Sequence, residues 1–432
     1  MSIDNPFYHR GAIRQAQYFH GRTAVTAQIR ELLHNGQSVS LIGPRRIGKS
    51  SLLLHLQREA AQTKRCPLFM LLDCQEVGGS PAERVYEALL YGLREAAENA
   101  GFDLNQESSI GTYRALDRTL RQLYRQDIPV VVLLDEFELL AGNEELSPYF
   151  FARLRGLTTK YGLAYLTASQ RPLYAITAQE EILSSPFFNI FVTVPLGTFT
   201  NDEARTLLQT RTANSQHQFP PALIEYLLDL VGAHPFFLHI AGYHAYQAMA
   251  HGAGETFSAL DNPIESEASS HLHYLWQSLT ADERHALVIA DGDVDSMRHL
   301  QQQCLLIASA NENTRYQYSS RMLHNFIRRQ QVDGLIQAGP FVIDEQRHQV
   351  WSDLQLLSLT TSQFSLLRCL CQHAGDVVHG DVLETAVWGS PSTDPDRLKT
   401  LIKRLRRAVI PHQKWIVSER GVGNALRRAG DE

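Results

Sequence analysis

The chain has 432 residues, of which 44% are hydrophobic and 20% are charged, and its formal net charge is −6. This length exceeds the usual limit of one hydrophobic core and predicts about two to four domains, while the balanced composition excludes a chain dominated by disorder. The five cysteines lack paired metal-binding spacing, and the N-terminus has no basic region followed by an apolar core. We therefore expect a cytoplasmic protein with no structural zinc and no membrane partner.

A short aromatic stretch, Tyr18-Phe19-His20-Gly21-Arg22, precedes the first predicted helix, over residues 26–33. The stretch resembles the Phe-x-Gly-Arg box of the STAND branch of AAA+-like NTPases, which implies that Arg22 lines an adenine pocket. A simple helix start explains the same residues equally well.

The next segment contains two glycines, Gly43 and Gly48, separated by four residues, and the second glycine opens a Gly-Lys-Ser triplet. An apolar β-prone run precedes this segment and a run of helix formers follows it. This is the phosphate-loop pattern, in which backbone N–H groups and the helix N-terminus surround a triphosphate. Lys49 is expected to reach the β- and γ-phosphates, and the Ser50 hydroxyl to bind Mg²⁺. The predicted nucleotide-binding residues are Gly43, Pro44, Arg45, Arg46, Ile47, Gly48, Lys49, Ser50 and Ser51.

A continuous apolar run, residues 128–134, ends in the two acids Asp135 and Glu136. An all-apolar strand is typical of a parallel sheet covered on both faces, and ligands bind at the carboxyl ends of such strands. We therefore place both acids near Lys49, with Asp135 as a second Mg²⁺ ligand and Glu136 as the base that activates water. A strand that ends in solvated acids is the alternative.

Two further segments resemble elements of the same class. Residues 162–169 form a predicted strand that closes on the polar residues Ser169-Gln170-Arg171. Ser169 and Arg171 match the place where related NTPases carry a residue that senses the γ-phosphate. A polar strand end is the alternative. Gly232-Ala233-His234-Pro235 resembles the Gly-x-His-Pro element of archaeal-type STAND ATPases, in whose helical lid the proline lies near the adenine. A helix break between glycine and proline accounts for the same residues.

Residues 255–270 are polar and predict a linker, and the helix and strand signals that follow it resemble a first winged helix. From about residue 335, short strands, a helix with a hydroxyl cap and a second helix follow in an order that resembles the effector winged helix of OmpR-type response regulators. This resemblance implies a recognition helix that begins after Asp394 and a wing over residues 415–423.

The proposed recognition helix places four apolar residues on one face and cations on the other, and residues 396–428 hold ten Lys or Arg against two acids. Such an excess of positive charge indicates a polyanion partner, and double-stranded DNA fits the helix and wing together. Two features depart from the family pattern: Asn424 replaces the usual aromatic residue, and Glu419 precedes Arg420. The predicted DNA-binding residues are Arg397, Lys399, Lys403, Arg404, Arg407 and Arg420.

These patterns predict an α/β P-loop NTPase with a parallel sheet in residues 1–200, a helical lid in 201–255, a winged helix in 256–331 and an OmpR-like α+β winged-helix domain in 332–432. The implied function is a slow, regulatory ATPase that uses ATP, ADP and Mg²⁺ to switch DNA binding or homo-oligomer assembly, in response to an unknown signalling partner. One alternative is an ATPase of a mobile element, defence system or replication initiator. Another is a nucleotide-binding scaffold whose last domain binds protein.

Overall fold

The computed structural model describes residues 5–7, 11–62, 67–104, 112–176, 186–252, 256–309, 315–391, 394–419 and 422–427. The chain divides into two compact units, Met1–Ile264 and Glu265–Glu432. Within the described ranges, every helix is too short or too polar to cross a bilayer.

The first unit is built on a five-stranded sheet in which every pair of neighbouring strands is parallel. Its spatial order is β2-β3-β4-β1-β5, and every residue of the three inner strands is buried. Strands covered on both faces favour apolar residues, which explains the unbroken apolar run of β3, whereas β1 and β4 also bury serine and threonine. The strands are β1 (Ser38–Ile42), β2 (Leu68–Asp73), β3 (Val130–Asp135), β4 (Ala164–Ser169) and β5 (Phe191–Pro195).

Helices cover both faces of this sheet, and a group of aromatic side chains that includes Phe137, Phe150, Phe151 and Phe187 fills the core beside it. Pro81 occupies the N-cap position of the helix that begins at Ala82. The helices are α1 (Thr23–His34), α2 (Lys49–Ala61), α3 (Ala82–Asn99), α4 (Tyr113–Arg125), α5 (Glu138–Ala141), α6 (Pro148–Tyr161) and α7 (Leu173–Ile176).

Three helices follow the sheet: α8 (Asn201–Thr212), α9 (Pro221–Val231) and α10 (Pro235–Ala250). The first begins with the predicted capping box, in which Thr200 and Glu203 each accept a hydrogen bond from the other's backbone N–H. We call these three helices the lid.

The predicted linker over residues 255–270 is wrong for most of its length, because helix α11 runs from Asp261 to Ser278. Ile264, Ala268, Leu272 and Leu275 recur at intervals of three or four residues and are all buried. Helix formation therefore follows from burial of a narrow apolar stripe among many polar residues.

The second unit continues with α12 (Ala281–Ile289), α13 (Val294–Gln302) and α14 (Arg321–Ile327). A short antiparallel hairpin of β6 (Leu306–Ala308) and β7 (Tyr316–Tyr318) lies between the last two helices in sequence. The strand and helix predicted over residues 316–328 are thus confirmed.

The last hundred residues begin with a four-stranded antiparallel sheet, continue with three helices and end with a hairpin. Side chains from all three parts share one core, as Phe341, Leu366, Leu405 and Leu426 show by their complete burial. The elements are β8 (Leu335–Ala338), β9 (Phe341–Asp344), β10 (Gln349–Ser352), β11 (Gln355–Leu356), α15 (Thr361–Gln372), α16 (Gly380–Trp388), α17 (Pro395–Ala408), β12 (Ile416–Glu419) and β13 (Gly423–Leu426).

Candidate nucleotide site and nucleic-acid interface

The predicted phosphate loop connects β1 to α2, as the motif requires. Arg46 and Gly48 both have left-handed backbone conformations, with φ of 64° and 105°. A Cβ atom on Gly43 would lie 2.5 Å from the carbonyl oxygen of Leu196, so a larger residue does not fit there. The glycines therefore permit the tight path that points backbone N–H groups into the loop.

Lys49 is the first residue of α2 and is almost completely buried. Its Nζ atom donates to the carbonyl oxygens of Gly43, at 2.8 Å, and Pro44, at 3.1 Å. Burial lowers the pKa of Lys49, and the nearby carboxylates of Glu136 and Glu138 oppose this effect. The ammonium group thus lies inside the loop, close to the carboxylates that the sequence places across the sheet.

Asp135 is the last residue of β3 and is buried, as its position at the strand end predicts. Burial raises the pKa of Asp135, and a hydrogen bond with the Ser50 side chain acts in the opposite direction. The structure therefore brings the two predicted Mg²⁺ ligands together. The Ser50 hydroxyl and the Asp135 carboxylate are oxygen ligands, which hard divalent cations prefer. The Glu136 carboxylate repels the charge of Asp135, and a cation at this site would relieve that repulsion.

Glu136 follows Asp135 in a left-handed conformation, with a φ of 48°. Its backbone N–H donates to the Asp135 carboxylate at 3.0 Å. Burial and the nearby Glu138 carboxylate raise the pKa of Glu136. A carboxylate with a raised pKa is a better proton acceptor, as the predicted role requires.

A cavity of about 310 Å³ lies over the phosphate loop. Four parts of the chain line it: the N-terminal segment (residues 11–22), the phosphate loop, Glu136, and the lid with the residues just before it. The lining residues beyond the loop that the sequence singles out are Arg22, Glu136 and Pro235. The sequence alone did not identify Ile13, Phe236 or His239 as lining residues, although Phe236 directly follows the predicted proline.

Arg22 connects three of these parts. Its guanidinium donates to the carbonyl oxygens of Thr198, at 3.1 Å, and Ile47, at 3.0 Å, while its backbone N–H donates to Glu203 at 2.6 Å. Its left-handed backbone, with a φ of 65°, and its burial are consistent with this fixed position. Arg22 therefore holds the loop beside the start of the lid in addition to lining the cavity.

The N-terminal segment also contacts α2 directly. The backbone N–H of Ile13 donates to the Ser51 hydroxyl at 2.9 Å, and Phe19 stacks on His55 with ring centroids 3.9 Å apart. Burial and the nearby Arg58 and Arg30 side chains lower the pKa of His55 to about 4, so the ring in this stack is neutral at physiological pH. Ser51 thus supports the segment through its side chain.

The phosphate loop and the lid meet at Arg46, whose guanidinium lies 4.3 Å from the ring centroid of Phe236. Phe236 is the second residue of α10, directly after Pro235. A cation over an aromatic face is attractive. Residues of the loop therefore contact the lid at its cavity-facing end.

The two predicted sensor residues occupy different environments. Ser169 is completely buried; its hydroxyl donates to the Arg171 carbonyl at 2.8 Å, and its own carbonyl accepts from the Gly43 N–H at 3.1 Å. The Arg171 side chain is exposed. Neither residue is among those that line the cavity, and the sensor role stays a prediction.

In the second unit, α17 has the amphipathic character that the sequence predicts. Asp394 caps the helix by accepting from the Asp396 N–H at 3.0 Å, and Leu398, Leu401, Ile402 and Leu405 are buried. The side chains of five predicted DNA-binding residues are exposed, and Arg420 lies outside the described residues. The five are Arg397, Lys399, Lys403, Arg404 and Arg407.

Lys399, Lys403 and Arg407 follow one another at intervals of four, so they form one stripe on the side of α17 opposite its buried residues. Arg397 lies to one side, with its guanidinium 4.1 Å from the Trp388 ring centroid. Lys399 also contacts Asp396 at 3.1 Å, a pair in which both side chains are exposed and which is therefore weak. A phosphate backbone could replace that partner.

Comparison with known proteins gives two family matches. Residues 98–293 match the family described as Novel STAND NTPase 2, and residues 354–426 match the family described as Transcriptional regulatory protein, C terminal. Regulatory protein VanR of Enterococcus faecium is 30% identical over 105 residues, which is 23% of this chain and 46% of VanR. Sensory transduction protein RegX3 of Mycolicibacterium smegmatis is 32% identical over 98 residues, which is 22% of this chain and 43% of RegX3.

The chain thus spans less than half the length of these curated relatives. Among solved structures, a Walker-type ATPase of Pyrococcus abyssi has a TM-score of 0.55 and 17% identity, and the match covers 74% of this chain and 99% of that one. At this identity the similarity concerns the fold. The chain thus combines a region that matches a STAND NTPase family with a C-terminal region that matches the OmpR-type winged-helix family.

Proposed function

We propose that this protein is an ATP-dependent switch, in which binding and slow hydrolysis of ATP in the first unit control binding of double-stranded DNA by the last domain. The observation that carries the proposal is the composition of the cavity wall. Phosphate loop, Glu136, N-terminal segment and lid all line one cavity of about 310 Å³. A nucleotide there contacts parts of the chain that are far apart in sequence, and different contacts in the ATP and ADP states shift the conformational population.

The chemistry follows from four side chains. Lys49 binds the β- and γ-phosphates, and its burial strengthens that attraction. Ser50 and Asp135 hold Mg²⁺, which when bound neutralises charge on the phosphates. Glu136 accepts the proton of the attacking water. Arg22 and Pro235 lie toward the adenine side, and Ser169 and Arg171 report loss of the γ-phosphate through the hydrogen bond between Ser169 and Gly43.

In the last domain, the exposed cations of α17 bind DNA phosphates, and those on the groove-facing side contact base edges. We further propose that the ATP state favours assembly of several copies, and that an unidentified partner shifts the balance between states. The effect of nucleotide on DNA affinity is expected to be about 5- to 150-fold, the usual range of allosteric coupling.

The test compares DNA affinity and molecular size of the full chain with ADP, with a non-hydrolysable ATP analogue and without nucleotide. The wild-type chain and Arg125→Ala, a control that removes an exposed cation from the end of α4, should respond to nucleotide alike. Lys49→Ala should lose both nucleotide binding and the response. Equal affinity and size in all three states, or a normal response of Lys49→Ala, would show that the proposed function is wrong.

A further inference from the structure

One arginine of α17 makes its contacts within the protein. Arg406 is half-buried, and its Nε atom donates to the carbonyl oxygen of Ile416 at 2.9 Å. Its Nη2 atom donates to the hydroxyl of Ser418 at 2.8 Å. Both acceptors belong to β12, the first strand of the C-terminal hairpin. The planar guanidinium thus fixes the distance and angle between helix and strand, which a single ammonium group does less well.

The contact continues across the hairpin. The Ser418 hydroxyl that accepts from Arg406 donates in turn to the Asn424 Oδ1 atom at 2.6 Å, and the two residues face each other in the strand register. Asn424 is buried while Ser418 is exposed, so loss of this hydrogen bond would leave the buried Asn424 amide oxygen without that partner. Side chains of the helix and of both hairpin strands therefore form one connected row.

The second strand is fixed on its other edge as well. The backbone of Asn424 exchanges two hydrogen bonds with Val378, at 3.0 Å and 2.8 Å. A Cβ atom on Gly423 would lie 2.2 Å from the Val378 carbonyl oxygen, so the two backbones meet more closely than any other residue allows. The hairpin thus has a fixed base, and Arg406 joins that base to the helix.

We propose that Arg406, Ser418 and Asn424 form a brace that sets the position of the hairpin relative to α17, and that Arg406 is a positioning residue rather than a phosphate ligand. The inference rests on the proposed DNA binding, in which helix and hairpin must contact one duplex at the same time. Asn424 stands where the resembling family usually has an aromatic residue, and here polar contacts take the place of aromatic packing.

The test measures affinity of the full chain for a short double-stranded DNA of mixed sequence over a series of salt concentrations. Arg406→Lys keeps the charge and Ser418→Ala changes none, yet each should weaken binding about 3- to 10-fold, the usual effect of one or two hydrogen bonds. The double variant should bind DNA with about the same affinity as the single variant that binds less tightly, because both changes break the same connection. The salt dependence should stay as in the wild type.

Arg407→Ala is the matched contrast, because Arg407 is the exposed neighbour of Arg406. This variant should make the negative slope of log affinity against log salt less steep by about 0.9, the value for one lost phosphate contact. Suppose that Arg406→Lys binds DNA like the wild type, and that Arg406→Ala makes the slope less steep by the same amount as Arg407→Ala. Arg406 is then a phosphate ligand, and the brace is overturned. Effects of Arg406→Lys and Ser418→Ala that multiply in the double variant would overturn it too.

A second readout does not depend on DNA. Amide hydrogen exchange in residues 416–419 and 423–426 should be faster in Arg406→Lys and Ser418→Ala, and unchanged in Arg407→Ala. Unchanged exchange in the first two variants contradicts the brace. A wild-type chain that binds no DNA would instead contradict the proposed function, while hydrogen exchange would still decide whether the brace exists.

Discussion

Glu136 and Glu138 lie close enough for one carboxylate to raise the pKa of the other. Glu136 must be ionised to accept a proton, and its raised pKa means that protonation begins at a higher pH than for an ordinary glutamate. ATP hydrolysis should therefore decline as the pH falls through that raised pKa. Burial makes the largest contribution to the shift, and the Glu138 charge adds to it.

Glu138→Gln removes this repulsion without removing the base. We expect the acid side of the pH–rate profile to move to lower pH in this variant, because the pKa of Glu136 falls when its negative neighbour is neutralised. Glu136→Gln should reduce the rate about 100-fold or more and flatten the profile. The measurement is steady-state ATPase activity against pH; a wild-type profile in Glu136→Gln would exclude Glu136 as the base.

At the scale of elements, the chain ahead of the sheet is held on the lid by one aromatic side chain. Phe7 is completely buried; its ring lies 5.6 Å from that of Phe219, and a Cβ on Gly242 would come within 2.6 Å of it. Asn5 adds a hydrogen bond from its side chain to the Tyr243 carbonyl at 3.0 Å. These contacts are local to the first unit.

Phe7→Ala should lower the free energy of unfolding by about 3–5 kcal/mol, the usual cost of removing a buried phenylalanine ring. Urea denaturation followed by circular dichroism measures the change. Tyr91→Ala is the control, because that ring is 71% exposed and its removal should change stability by less than about 0.5 kcal/mol. Equal midpoints for the two variants would contradict the packing seen around Phe7.

Sequence alone predicted the elements whose signals are local. The phosphate loop, the apolar strand before Asp135, the capping box at Thr200 and the hydroxyl cap of α15 each involve residues only a few positions apart, and all four are confirmed. The part of helix α11 before residue 271 was missed because its narrow apolar stripe is diluted by polar residues. The cavity wall formed by residues 11–13 was also missed, since it depends on a contact between Ile13 and Ser51 that no short pattern encodes.

At the scale of the whole molecule, positive charge is concentrated at one end of an acidic chain. Residues 396–428 carry ten Lys or Arg and two acids, while the complete chain has a net charge of −6. The remainder of the chain therefore repels DNA, and attraction depends on the exposed cations of α17. Binding should for this reason weaken steeply as the salt concentration rises.

If the five exposed cations of α17 each neutralise one phosphate, the slope of log affinity against log salt should be about −4.5. Changing Arg397, Lys403, Arg404 and Arg407 together to alanine should bring the slope close to −1 and abolish binding at physiological salt. Fluorescence anisotropy with labelled duplex DNA measures both quantities. A chain whose regulatory function survives this fourfold change would favour the alternative in which the last domain binds protein.

The contacts around the cavity over the phosphate loop also affect how long a nucleotide stays bound. Arg22 bonds to the carbonyls of Ile47 and Thr198, and Arg46 lies on Phe236, so contacts far apart in sequence must separate before the lid moves away from the loop. In the proposed switch, these contacts slow the release of spent nucleotide. The duration of the DNA-bound state would be set by the dwell time of the nucleotide, and a brief rise in signal would be converted into a response of fixed length.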